Sequence, residues 1–296
     1  KKDPARAQEE LERAYELDET DARVFLELDQ LYKKLEVPFE QRIQNYEKHP
    51  EVIEERDDVR IEYITLQNLL GNYKKAYESI MSHTFRPWEG AEGKITTQYK
   101  IALLEMAKEC IDVKEYGQAK DYLEKALRYP ENLGEGRLEG TKDNHIYYYL
   151  GICNKALGKE QEAHGYFERA SLGDIEPAGV MYYYDQPADM ILYQGLAKRE
   201  LGKEKEARSR FFKLLDYGEQ HLNDEMRIEY FAVSLPDFLI FEDDLNRKNK
   251  AHCWYLMGLS SLGLGELQKA EGFFDKALSY DANHQNARMY RKMTLK

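Results

Sequence analysis

Between Ala251 and His284 small side chains recur at intervals that a closely nested pair of helices requires. The stretch reads AHCWYLMGLSSLGLGELQKAEGFFDKALSYDANH. Counting from Ala251, Gly258 stands at position 8, Ala270 at 20 and Ala277 at 27, while Trp254, Met257 and Phe274 stand at 4, 7 and 24. Two helices cross closely only where small residues let their backbones approach, and large neighbours then fill the remaining space. Gly258, Ala270 and Ala277 are accordingly expected to face one another. Gly265, at position 15, suits the left-handed conformation that reverses a chain at a helix end.

This spacing resembles the tetratricopeptide repeat, a helical hairpin of 34 residues. Only the Tyr at position 11 and the Pro at 32 are replaced, by Ser261 and Ala282. The same frame on 144–177 places Tyr147, Leu150, Gly151, Gly158, Ala163, Phe167 and Ala170 on the landmarks. On 188–221 it places Gly195, Gly202, Ala207 and Phe211, with Gln194 and Leu214 departing; on 100–133, Met106, Ala107, Ala119, Leu123 and Ala126. Frames 57–90, with Gly71 and Ala76, and 22–55, with Phe25, Leu28 and Tyr32, are weaker, and Pro38 marks a turn within the last. Ala7, Leu11 and Ala14 fit the second helix of a truncated repeat in 1–21, and 285–296 reads as a capping helix. The resemblance implies an all-α fold, a single tetratricopeptide-type solenoid over 1–296 whose hairpins stack into a right-handed superhelix. A chain that opens in mid-repeat, on Lys1, is expected to be a piece of a longer protein.

The frames are not contiguous. Nine residues separate Gly90 from Lys100, ten Leu133 from Asn144, ten Pro177 from Ala188, and 29 His221 from Ala251. Each insertion falls between the second helix of one repeat and the first of the next, so the enlarged loops are expected on one edge. They carry Trp88, Tyr182, Tyr183, Tyr184, Phe231, Phe238 and Phe241, which a disordered spacer would avoid. Ordered loops on a rigid scaffold are common places for binding residues.

The loop texts HTFRPWEGAEG, YPENLGEG, YYYDQPADMILYQGLA and YFAVSLPDFLIFEDDLN, from about His83 to His284, support a narrower resemblance. They are similar to the carboxy-terminal tetratricopeptide region of large bacterial proteins whose amino-terminal part is β-rich and mutarotase-like. That resemblance implies a cytoplasmic multidomain protein with a link to carbohydrate and no activity to carry over.

Composition excludes several classes. Lys and Arg number 43 against 55 Asp and Glu, a formal charge of -12 without a basic cluster, which disfavours nucleic acid and anionic membranes as partners. No apolar run approaches the roughly 20 residues that span a bilayer. Cys110, Cys153 and Cys253 lie far apart in helical patterns and read as reduced core thiols of a cytoplasmic protein. No phosphate loop, zinc motif or nucleophile elbow occurs, so no cofactor, metal or catalytic residue is assigned and the chain reads as a non-enzyme.

Two sets of residues are candidates for binding. His145 and His252 occupy position 2 of their frames, and Tyr148 and Tyr255 position 5, which in the resembled family faces the concave groove. These four are expected to line a groove for a peptide, a protein partner or another domain of the same polypeptide. The loops also bring acids and an aromatic together in Trp88, Glu89, Glu131, Asn132 and Asp185, with Glu92, Glu135 and Asp189 nearby in sequence. Paired carboxylates and stacking rings suit a sugar, so a carbohydrate-binding or carbohydrate-processing accessory module is the alternative. Against it stands the reading that Asp189 and Asp243 cap helices and Trp88 plugs a seam between repeats. Self-association through tyrosines is a third reading, prompted by 23 Tyr against 11 Phe.

Overall fold

The computed structural model describes residues 4–86, 91–179, 186–226 and 244–295. Among them every regular element is a helix: fifteen α-helices and a 3-10 turn at Glu131–Leu133. They form two compact units. The first comprises 4–86 and 91–105 with Tyr129–Gly136; the second comprises Met106–Arg128, 137–179, 186–226 and 244–295.

In the first unit α1 (Pro4–Leu17) packs on α2 (Ala22–Lys34), followed by α3 (Phe39–Lys48), α4 (Pro50–Glu55), α5 (Asp57–Leu69) and α6 (Tyr73–Met81). Asp21 caps α2 by accepting from the Arg23 and Val24 amides. Pro38 does sit in a turn, immediately before α3. Where the frame allows one second helix there are two, because Pro50 cannot continue the backbone bonding of α3 and instead begins α4. A buried ion pair positions α3: Arg42 donates to both oxygens of Asp29, at 2.8 and 2.6 Å, and Tyr46 donates to Asp29 as well. Glu62 on α5 lies 3.7 Å from Arg42 and receives Lys33, so the charges taken out of water are matched.

The division between the units falls within α7 (Lys94–Asp112). The second unit continues with α8 (Tyr116–Ala126), α9 (Asn144–Ala156), α10 (Glu160–Ala170), α11 (Met190–Glu200), α12 (Glu204–His221), α13 (Leu245–Leu264), α14 (Leu267–Tyr280) and α15 (Gln285–Thr294). Helices α9 and α10, α11 and α12, and α13 and α14 are antiparallel neighbours, and α9, α11, α13 and α15 touch in succession.

Close crossing is achieved by a glycine against a ring. A Cβ on Gly151 would stand 2.5 Å from Phe167, on Gly195 2.3 Å from Phe211, and on Gly258 2.5 Å from Phe274. The group nearest Gly258 is the Phe274 ring, and Ala270 and Ala277 are fully buried on the same helix as that ring. The hairpin turns share a second device. Position 15 of all six frames has positive φ: Glu36 (58°), Gly71 (83°), Lys114 (65°), Gly158 (73°), Gly202 (74°) and Gly265 (80°). Even the frames with the fewest sequence landmarks thus reverse the chain in the same way.

Candidate functional site

Amide side chains hold the described ends of the enlarged connections. In the first unit Asn132 donates to the carbonyls of Ile80 and His83, both at 2.8 Å, and its own carbonyl accepts from the Phe85 amide at 2.8 Å. Glu135 accepts the Gly93 amide at 2.9 Å, and burial followed by neighbouring Glu92 raises its carboxyl above the ordinary range. The first two connections are therefore laced together. In the second unit Gln186 clasps Asp174, accepting its amide at 2.9 Å and donating to its carbonyl at 2.6 Å, while Gln194 on α11 donates to the same carbonyl. Asn144 and Asn249 donate to the carbonyl ends of α10 and α12 in the same manner.

This bonding bears on the sugar reading. Asn132 was expected to meet a ligand, but its side chain is committed to backbone carbonyls; Glu131 beside it is exposed in the 3-10 turn. Trp88, Glu89 and Asp185, the other residues of that set, lie outside the described residues, as do Tyr182–Tyr184 and Asp243. Helix α13 is capped by Asp244, which accepts from the Arg247 amide at 3.1 Å. Asp189 precedes α11 without capping it and accepts instead from the Tyr290 hydroxyl at 3.2 Å.

The second unit carries a continuous face of rings. Positions three apart on a helix lie on one side, and α9 accordingly presents His145 and Tyr148 together to Tyr193 of α11, each with ring centres 5.8 Å away. Tyr193 packs on Tyr290 of α15 at 6.3 Å and shares a hydroxyl contact with it at 3.2 Å. Tyr290 in turn packs on Tyr255 at 5.9 Å, and Tyr255 on His284 at 4.7 Å. Tyr193, Tyr255 and Tyr290 are 1, 3 and 6 % exposed, so of the expected tyrosines Tyr148 alone offers a half-buried ring. Burial drives the Tyr148, Tyr255 and Tyr290 hydroxyls upward, keeping them protonated as donors.

His252 stands apart from this chain of rings. Its Nε2 lies 2.8 Å from the Ala178 carbonyl, its ring packs edge-on against Tyr217, and burial pushes it down to about 4. It pins the third connection to α13. The four expected groove residues are thus brought into one unit but divide: His145 and Tyr148 share a partly open edge, Tyr255 lies beneath α15, and His252 holds a loop. Tyr193, Tyr290 and Asp189 are the members that the position 2 and 5 pattern passed over. A different recurrence marks them, since Tyr149 and Tyr193 both stand at position 6 and Tyr290 would do so in a frame begun at Gln285.

In the first unit an open cleft of about 490 Å³ is lined by Glu54, Glu55, Arg56, Asp57, Asp58, His83, Thr84 and Arg86. Its charges are largely spent internally: Asp57 takes His83 and the Arg86 amide, both at 2.7 Å, Asp58 takes Arg56, and Glu54 pairs with Arg60. Among the described residues no group of three or more His, Cys, Asp or Glu could hold a metal ion. No helix among them is long and apolar enough to cross a membrane.

Paired helices with small-residue crossings and a left-handed turn at a fixed position define the class: an all-α protein of helical hairpins. Residues 251–284 match the family model of the tetratricopeptide repeat. Among solved structures the chain is similar to a tetratricopeptide repeat protein from Parabacteroides merdae, at 14% identity and TM-score 0.44 over 99% of this chain and 93% of that one. It is also similar to BtubC (BKLC) from P. vanneervenii, at 16% identity and TM-score 0.29 over 94% and 88% of the two chains. A third likeness is to the P58(IPK) TPR domain, at 13% identity and TM-score 0.29 over 99% and 92%. Tetratricopeptide repeats generally mediate protein–protein interaction.

Proposed function

We propose that this chain is a non-catalytic interaction scaffold whose second unit binds a peptide or a protein segment at the open edge formed by His145 and Tyr148. The observation that carries this reading is the half-buried Tyr148 ring, backed by Tyr149, Tyr193 and Phe167 at centroid distances of 5.3, 5.8 and 6.0 Å. A ring locked by neighbours loses little freedom on binding, and rigid tyrosines supply contact area with a hydroxyl to donate. The amide-laced connections support it further, because a site must stand on rigid surroundings to bind selectively. Stacking of all the hairpins into one right-handed solenoid, a cytoplasmic setting, and a place within a larger bacterial polypeptide belong to the same proposal. They rest on the repeat spacing, the burial of the Cys153 and Cys253 thiols beside a half-buried Cys110, and the resemblance of the loop texts.

Selection of binders from a displayed random-peptide library against the full chain tests it. Selected peptides are expected to lose binding roughly tenfold or more on Tyr148→Ala while circular dichroism shows the variant still folded at the assay temperature. Binding indifferent to both Tyr148→Ala and His145→Ala sinks the reading.

A further inference from the structure

On a different side of α13 from Tyr255, the α13–α14 hairpin carries a ladder in which cations alternate with rings. Lys250 lies over Tyr280, its ammonium 5.8 Å from the ring centre, and Lys276 lies over Trp254 at 4.1 Å. Trp254 stacks on Phe273 at 5.7 Å with planes 30° apart, and Lys269 lies over Phe273 at 5.8 Å. Lys250 and Trp254 are one turn apart on α13, as are Lys276 and Tyr280 on α14, so the ladder follows the seam between the helices. Lys269 also meets Glu266 at 3.2 Å, whereas the contacts of Lys250 and Lys276 among the described residues are with rings. Arg169 over Tyr147 and Arg208 over Phe212 are single contacts of the same kind, whereas three lysines on this one hairpin make a run of them in a chain of net charge -12.

We infer that this seam is a docking surface for an extended acidic segment of a partner protein, with carboxylates about three residues apart and apolar side chains between them. The spacing follows from geometry. Lys269 and Lys276 are seven residues apart on α14, which at about 1.5 Å per residue is roughly 10 Å, close to one three-residue turn of a polyproline-II-type extended chain at about 3.1 Å per residue, whose side chains return to the same side every third residue. Ammonium groups resting on ring faces are held in place without being neutralised, so an incoming carboxylate gains their charge at little ordering cost. Trp254 and Phe273 are both half-buried, and the ring surface left open between the lysines accepts apolar side chains. Repulsion from the rest of the acidic chain is screened beyond about 8 Å at physiological salt, whereas a polyphosphate strand would need a broader cationic footprint than three lysines.

This inference is independent of the Tyr148 edge. A fluorescently labelled synthetic peptide with glutamate at every third position and leucine between is titrated with the full chain and followed by anisotropy. Saturable binding is expected, falling with added salt, weakened roughly tenfold or more by the surface double variant Lys250→Ala/Lys276→Ala, weakened also by Trp254→Ala, and unchanged by Tyr148→Ala. Circular dichroism on the lysine variant keeps the test valid if Trp254→Ala unfolds. The inference is overturned by an absence of saturable binding, by equal binding of the peptide with lysine in place of glutamate, by binding indifferent to the lysine double variant, by loss on Tyr148→Ala, or by tighter binding of oligothymidylate.

Discussion

The hydroxyl of Tyr290 lies 3.2 Å from the Asp189 carboxylate, a residue 101 positions earlier in the chain. It thereby ties α15 to the start of α11 across α13. The contact is dry, Asp189 being 8 % and Tyr290 6 % exposed. Taking a donor from a buried carboxylate costs more than the net worth of an ordinary hydrogen bond. Tyr290→Phe is therefore expected to destabilise the second unit by about 1–3 kcal/mol. Tyr290→Ala, which also removes the ring between Tyr193, Tyr255 and Phe274, should cost roughly 3–5 kcal/mol. Urea melts of the two variants read both losses, and equal stability of Tyr290→Phe and the parent would show the hydroxyl to be idle.

The glycine-to-ring crossings give a threefold internal control. A methyl group at Gly151, Gly195 or Gly258 would enter the ring of Phe167, Phe211 or Phe274 at 2.3–2.5 Å. Each Gly→Ala change there should cost about 1–3 kcal/mol by overpacking, although alanine is ordinarily the better helix former. Ala270→Leu, at a fully buried position, should fall in the same range of about 1–3 kcal/mol. Trp254 is half-buried, so Trp254→Ala should cost less than the roughly 3–5 kcal/mol of a fully buried ring. Denaturant midpoints compared within this set separate overpacking from lost burial.

Glu36 and Lys114 occupy the left-handed turn position that glycine fills in the other four frames, at φ of 58° and 65°. A side chain with a Cβ costs about 1–2 kcal/mol in that conformation, partly offset by the greater freedom glycine has when unfolded. Glu36→Gly and Lys114→Gly are thus expected to stabilise by about 0.5–1 kcal/mol each. A lowered thermal midpoint for both would mean that their side chains contribute contacts outweighing the backbone strain.

What the sequence made legible was whatever repeats. Gly258 and Phe274 announce a crossing because the same pair recurs as Gly151 with Phe167 and Gly195 with Phe211. The break at Pro50 was not announced, since the 22–55 frame has too few landmarks to show where its second helix divides. The roles of Asn132 and Gln186 were hidden for another reason. An amide that bonds backbone carbonyls 49 and 52 residues earlier has no period to betray it. Tyr255 looked like a groove residue by its position, and it is covered because the ring above it, Tyr290, comes from a helix outside the 34-residue frames.

Asn132 offers a direct test of the lacing. Asn132→Ala removes donors from two carbonyls, those of Ile80 and His83, and leaves the Phe85-to-Asn132 backbone bond in place. A loss of about 1–3 kcal/mol is expected. Amide exchange should quicken at Ser82 to Phe85 and hardly change in α13. Asn132→Asp, which keeps the shape but presents acceptors to acceptors, should be at least as damaging; full retention of stability by Asp would remove the donor role from Asn132.

His252 sets an expected pH dependence. Burial lowers it from the ordinary 6.5 to about 4, with His284 nearby acting in the same direction. Between those values the unfolded chain binds a proton that the folded chain refuses, so this contribution is fully present above about pH 6.5 and is lost as the pH falls toward 4. The size is at most about 3 kcal/mol, since each tenfold loss of proton affinity on folding is worth about 1.4 kcal/mol. His252→Gln can still donate to the Ala178 carbonyl but does not titrate. Its stability should therefore fall less than that of the parent between pH 7 and pH 4.5. Parallel slopes for the two proteins in that window would mean that His252 is solvated and titrates as an ordinary surface histidine.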